Sequence, residues 1–176
     1  TTPLRERVCL NGLWGFRAVQ TNEATASVPA AGDCWGWFKV PGIWPGGAWE
    51  FDGGAQQVWL APWLEERGGA NVFEQAWYKR SFTVPKAWEG RRIALEFTML
   101  QTHVQAFVNG AACGELWYPG GEVDLTGKLK PGLEQELALL VTAPLLTAER
   151  NAFMAPDRII TDKASVKLKG ITGDLF

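Results

Sequence analysis

Apolar and polar positions alternate with a period of two over most of the chain, the spacing of strands that bury one face. In LNGLWGFRAV, Trp14, Phe16 and Ala18 fall on one side. In AWYKRSFTVP, Tyr78, Phe82 and Val84 share a side with Arg80, opposite Trp77, Lys79, Ser81 and Thr83. RRIALEFTML aligns Ile93, Leu95, Phe97 and Met99 against Glu96 and Thr98. THVQAFVNG aligns Val104, Ala106 and Val108, and QELALLVTA aligns Leu137, Leu139 and Val141. SVKLKG alternates Val166 and Leu168 with lysines.

Turn chemistry separates these runs. Asn109–Gly110 is a two-residue hairpin signal. Pro131–Gly132 fits the centre of a tight turn, and the Pro-Gly-Gly runs at 45–47 and 119–121 mark further bends. No segment carries a helical stripe longer than two turns, although PKAWEGRR and DLTGKLKPG each have room for one turn of helix. Many short alternating strands joined by Gly/Pro turns predict an all-β antiparallel sandwich of the jelly-roll kind. Residues 49–75 and 144–163 do not read as strands, and loops longer than ~12–15 residues are often functional. With no repeat and no linker, residues 1–176 read as one domain.

Composition narrows the function classes. A net charge of −2 gives no electrostatic case for nucleic acid or for an anionic membrane. No apolar run reaches the ~20 residues of a spanning helix, and the opening TTPLRERVCLNG has no signal-peptide core. Cys9, Cys34 and Cys113 are an odd, widely spaced set without zinc-ligand spacing, so buried free thiols are expected rather than a disulfide framework. The unusual feature is tryptophan. The chain has ten, and Trp35, Trp37, Trp44 and Trp49 crowd into one short stretch.

The ordered series LNGLWGF, KVPGIW, AWYKRSFTVP, FVNGAACGELWYPGGEVDLTGKLKPG, LALLVTA and GITGDLF resembles the N-terminal sugar-binding domain of glycoside hydrolase family 2. That family comprises β-galactosidases, β-glucuronidases and β-mannosidases. The resemblance covers nearly the whole chain, and WY–R–F–VP followed by VNG…G and DLT…L–G is its most specific part. It implies a galactose-binding-like jelly roll that precedes an immunoglobulin-like domain and a (β/α)8 barrel bearing two catalytic glutamates. A barrel alone takes about 200 residues or more, so the chain reads as one domain excised from a larger hydrolase. One departure stands out. The family's closing motif often reads Gly-Ile-aromatic-Arg-Asp, and here Gly173 takes the arginine's place in Gly170-Ile171-Thr172-Gly173-Asp174.

Glycoside hydrolysis needs two carboxyl groups, about 5–5.5 Å apart for retention and about 6.5–9.5 Å for inversion. Glu65, Glu66, Glu115, Glu122 and Asp124 read instead as surface charge, with Asp124 capping a turn. His103, the lone histidine, cannot build a multi-histidine metal site and is expected at a rim. No catalytic residue is assigned. No cofactor is required, although the fold class admits a structural calcium held by loop carbonyls and a carboxylate.

Trp is the usual stacking platform for a sugar ring, but it is also a large core residue. Trp14, Trp44 and Trp77 are expected in the core or at a domain interface. Trp59, Trp63, Trp117 and Tyr118 are the carbohydrate-binding candidates. Expected partners are carbohydrate and the remaining domains of a parent glycosidase. The function this implies is a non-catalytic scaffold and sugar-binding domain. The alternatives are an autonomous carbohydrate-binding module and a purely structural interaction domain.

Overall fold

The computed structural model describes residues 5–19, 24–30, 32, 35–44, 74–143 and 169–176. Among these residues eight strands are formed: β1 (Gly12–Ala18), β2 (Gly36–Val40), β3 (Gln75–Thr83), β4 (Ala94–Phe97), β5 (His103–Val108), β6 (Ala111–Trp117), β7 (Gly121–Asp124) and β8 (Glu134–Thr142). A 3-10 turn at Lys86–Trp88 supplies the helical turn expected in PKAWEGRR. The DLTGKLKPG stretch closes as a hydrogen-bonded turn instead, Lys128 donating to the Leu125 carbonyl. Among the described residues no helix is long and apolar enough to cross a membrane.

Two sheets face each other. The larger runs β2-β1-β3-β8-β5-β6, and the smaller pairs β4 with β7. All the pairings are antiparallel. The final residues extend the small sheet: Leu175 bridges Phe97, and Glu96 and Phe176 exchange both backbone hydrogen bonds. Gly42 and Trp44 donate to the carbonyls of Ile171 and Lys169, which brings VPGIW and the closing segment into the same layer.

The expected alternation is realised in the described strands; Val166 and Leu168 lie outside the described residues. Trp14, Phe16, Phe38, Tyr78, Val104, Leu139 and Val141 fill the inner face against Leu95, Phe97, Val123, Ile171 and Leu175. Phe16, Phe38 and Tyr78 pack edge-on or tilted, with ring centroids 5.1–5.8 Å apart. Full burial of each such side chain contributes roughly 1.5–3 kcal/mol. Met99 departs from its expected row. Strand β4 ends at Phe97, Met99 turns partly outward, and Leu100 takes the buried place.

The large sheet also has a second, smaller core on its outer face. Trp77, Phe107, Ala138, Leu140 and Val19 cluster there, with Val28 and Trp35 packed against them. Alternation therefore puts Trp77 opposite Tyr78 as expected, yet both are buried, because β3 is central and covered on both sides. Trp35 joins this outer core, while Trp37, on the edge strand β2, is 57% exposed. Trp44 lies in the inner core, where its Nε1 donates to the Tyr78 hydroxyl.

The motif arginine has a structural task. Arg80 Nη1 donates to the carbonyls of Leu10 and Asn11 at 2.7 and 3.0 Å, and its guanidinium lies over the Trp14 ring. It faces inward at the sandwich mouth without being left unpaired, as a partly buried charge requires.

Candidate functional site

The β5–β6 hairpin carries the most distinctive exposed chemistry. Asn109 and Gly110 adopt φ of 50° and 80°, the left-handed pair that a two-residue hairpin turn needs. Val108 pairs with Ala111 and Phe107 with Ala112, but Ala106 pairs with Gly114. Cys113 is thus the extra residue of a β-bulge. The one-residue shift reverses which side chains point inward for the rest of β6. Leu116 opposes Val104 and packs on the inner core, while Glu115 and Trp117 oppose Gln105 and His103 on the outer face.

His103 and Trp117 form a cross-strand pair with ring centroids 4.1 Å apart at 37°. His103 Nε2 lies 3.0 Å from Glu115 Oε2. The histidine is largely covered, its side chain 12% exposed, whereas Glu115 is 55% exposed. Trp117 is 63% exposed and Tyr118 62%. One ring face of Trp117 is therefore backed by His103, and much of its surface meets solvent. The Tyr118 backbone is fixed by donation to the Thr102 carbonyl at 2.7 Å. Trp59 and Trp63 lie outside the described residues.

This hairpin end is also where the chain enters and leaves its two long inserts. Ala143 donates to the Glu74 carbonyl, and Trp44 donates to that of Lys169. These four residues flank residues 45–73 and 144–168. Lys169 is nearly buried, and burial holds its ammonium below the ordinary value of 10.5, partly offset by the charge of Glu74. At the same end Gln75 Nε2 donates to Thr142 Oγ1 and Gln101 Nε2 to Thr172 Oγ1.

Most of the other described carboxylates are committed elsewhere. Glu6 accepts from Trp88 Nε1 and pairs with Arg91; Glu96 pairs with Arg7; Glu136 pairs with Lys79. Glu122 and Asp124 share Arg92, whose own charge Glu122 further stabilises. Asp124 Oδ1 accepts from the Thr126 backbone at 2.8 Å, the expected capped turn. Hydrogen bonds from Thr126 hold its carboxyl below the ordinary 3.8, the opposite of what a general acid at neutral pH needs. Glu65 and Glu66 lie outside the described residues.

A cleft of about 490 Å³ opens at the opposite mouth, beneath the segment that leads into β1. Its apolar floor is barely reached from solvent, Leu95 and Leu125 each being 2% exposed, and most of its charged rim is engaged in the pairs above. Among the described residues, no three His, Cys, Asp or Glu side chains gather as a metal site. Cys9 and Cys113 are free thiols. Cys9 is exposed rather than buried as expected, because it precedes β1 on the surface; Cys34 lies outside the described residues.

Sequence reasoning picked out Trp117 and Tyr118 but not the partners of Trp117. Ideal hairpin counting from Asn109–Gly110 sets His103 against Leu116. Only the bulge at Cys113 sets it against Trp117.

No family model and no curated protein matches the chain. Its fold is shared with part of several solved enzymes. The β-glucuronidase of Ruminococcus gnavus aligns at a TM-score of 0.61 and 17% identity, over 86% of this chain and 23% of that one. The Lactobacillus rhamnosus β-glucuronidase aligns at 0.59 and 21%, over 85% and 23%. An uncultured Clostridium β-glucuronidase aligns at 0.58 and 20%, over 85% and 24%. This chain spans less than a quarter of the length of those enzymes. At these identities the likeness is one of fold: a β-sandwich of the type found as one part of larger β-glucuronidases.

Proposed function

We propose that this chain is a non-catalytic β-sandwich domain of a family 2 glycoside hydrolase, which supports the catalytic part and contacts carbohydrate through Trp117 and Tyr118. The observation that carries this reading is the shared fold with under a quarter of each β-glucuronidase, over more than four-fifths of this chain. The residues of the family resemblance support it, because they meet in space. LNG, the β3 arginine and the closing GITGDLF are joined by direct hydrogen bonds. The carboxylates that line the described cleft give it further support, since Glu6, Glu96 and Glu122 are each paired with an arginine.

The test is hydrolysis. The purified chain is expected to leave nitrophenyl β-glucuronide, β-galactoside and β-mannoside uncleaved above background. Turnover that disappears with Glu115→Gln or Glu122→Gln would overturn the non-catalytic reading.

A further inference from the structure

We propose that the outer face of the β5–β6 hairpin is a subsite for a neutral saccharide, built from Trp117, Glu115, Gln105 and His103, and that it disfavours uronic acids. It rests on the carbohydrate-contact part of the function proposed above and names the chemistry of that contact.

The cross-strand register sets the layout. Glu115 and Trp117 are two residues apart on β6, and Gln105 and His103 stand directly opposite them on β5. All four project from the same face, opposite the inner-facing Val104, Ala106 and Leu116. His103 backs one side of the Trp117 ring and at the same time holds Glu115. The indole is thus steadied with its surface exposed, which lowers the ordering cost of stacking. A sugar ring over the free face of Trp117 would bring its hydroxyls toward the Glu115 carboxylate, which can accept from two of them, and toward the Gln105 amide, which can donate and accept. An apolar ring platform beside a few polar groups is the composition that fits a polyhydroxylated ring.

The charge of the face selects the sugar. Between Arg92 and Lys128 the chain has no lysine or arginine, so neither β5 nor β6 nor their turn supplies a fixed cation. The one imidazole is already turned to Glu115. A sugar carboxylate placed here would meet the carboxylate of Glu115 with no guanidinium or ammonium of β5, β6 or their turn to offset it. The bulge at Cys113 is what turns these side chains outward, and bulges commonly re-aim a side chain at a site.

The experiment follows the Trp117 indole N–H resonance of the whole chain. The titrants are methyl β-glucoside, methyl β-galactoside, methyl β-mannoside and methyl β-glucuronide. Glucoside and glucuronide form a matched pair that differs only at C6. At least one neutral glycoside is expected to shift the resonance saturably, with the glucuronide about fivefold weaker or more, as roughly 1 kcal/mol of like-charge repulsion requires. Glu115→Gln should narrow that gap and weaken the neutral sugar by roughly tenfold, through loss of a charge-assisted hydrogen bond. By calorimetric titration, since neither variant keeps the Trp117 resonance, Trp117→Ala should abolish binding while Trp117→Phe keeps part of it, and thermal melts of both variants report their folding.

Glucuronide binding at Trp117 as tight as that of the neutral sugars would overturn this inference and leave the carbohydrate contact standing. No shift with any saccharide would overturn both, and would leave the non-catalytic reading to the hydrolysis test. Neutral-sugar binding that survives Trp117→Ala in a folded protein would place the site elsewhere and overturn the inference. A shift on raising protein concentration without sugar would assign the face to a second copy of the chain, and overturn it equally.

Discussion

Asn11 and Asp174 stand 163 positions apart and are joined side chain to side chain, Nδ2 of the asparagine donating to Oδ1 of the aspartate at 2.9 Å. The asparagine's Oδ1 accepts from the Leu175 backbone at 3.0 Å, and Leu10 donates to the Leu175 carbonyl at 2.8 Å. The residues just before β1 and those that close the small sheet are therefore one joint. Asn11 does there what a backbone pair does in a ladder, and it also reaches a side chain beyond it. Asn11→Ala removes both side-chain bonds and leaves a partly buried N–H without its acceptor. It is expected to cost about 1–3 kcal/mol, read from urea unfolding. Asn11→Asp keeps an acceptor but loses the donor and sets two carboxylates face to face, so it should be no more stable than the alanine variant. A wild-type midpoint for either variant would show that the joint contributes nothing.

Gly173 stands where the closing motif of glycoside hydrolase family 2, which this segment resembles, often carries arginine. The local geometry explains the glycine in this chain. A Cβ at this position would lie 2.3 Å from the Met99 backbone nitrogen and 2.4 Å from Thr98 Oγ1. The cause is the tight pairing of the closing segment with the end of β4, where Gly173 donates to the Met99 carbonyl and Thr98 to that of Asp174. Gly173→Ala is expected to destabilise by more than about 2 kcal/mol, since backbone must move. Gly173→Arg should do at least as much harm. Gly170 gives the comparison within the same segment: its φ is 111°, and a Cβ would meet the Gly42 carbonyl oxygen at 2.7 Å. Thermal melts of Gly173→Ala and Gly173→Arg, with Gly170→Ala for comparison, check the ranking, and a neutral Gly173→Ala would show that the two segments are not packed this tightly.

The turn after β7 makes a pH prediction. Asp124 has its carboxyl held below the ordinary 3.8, first by the Thr126 side chain and then by the Thr126 backbone N–H. A depressed folded-state value means that the unfolded chain binds the proton first. The stabilisation is present above 3.8 and is lost as pH falls through the folded value. Asp124→Ala should lower the thermal midpoint at neutral pH and flatten the acid limb. Asp124→Asn keeps an acceptor for Thr126 and should lie between the two at neutral pH, with the same flattened limb. An unchanged acid limb in both variants would place the linkage elsewhere.

Much of this molecule was legible in the sequence because period-two burial and turn chemistry are local. Trp14, Phe16 and Ala18 on one face, Leu137, Leu139 and Val141 on another, and the Asn109–Gly110 turn all follow from neighbours a few residues apart. Three things were not legible, each for its own physical reason. Trp77 was expected in the core or at a domain interface, but what covers it depends on β3 lying at the centre of a sheet packed on both faces, and strand order is a long-range property. The clamp between Asn11 and Asp174 depends on the chain's two ends meeting. The face shared by His103, Glu115 and Trp117 depends on one bulged residue, which carries no local signal beyond a glycine next to it.

The hydrogen bond from Trp44 Nε1 to the Tyr78 hydroxyl, 2.5 Å long in the inner core, gives the last prediction. Tyr78 is fully buried, and that burial pushes its phenol well above the ordinary value of 10.0, with the bond from Trp44 offsetting part of the rise. Because the folded value is raised, the unfolded chain loses this proton first. The stability associated with Tyr78 is therefore complete below pH 10 and declines as pH rises above it. In a Tyr118→Phe background Tyr78 is the sole tyrosine. Its tyrosinate absorbance at 295 nm is then expected to appear only together with loss of the native circular dichroism. Tyr78→Phe should be less stable at neutral pH by about 1 kcal/mol, the net worth of the bond, and should lose stability less steeply in alkali. Reversible ionisation near pH 10 with the fold intact would contradict the burial of this residue, and with it the inner core drawn from Phe16, Phe38 and Trp44.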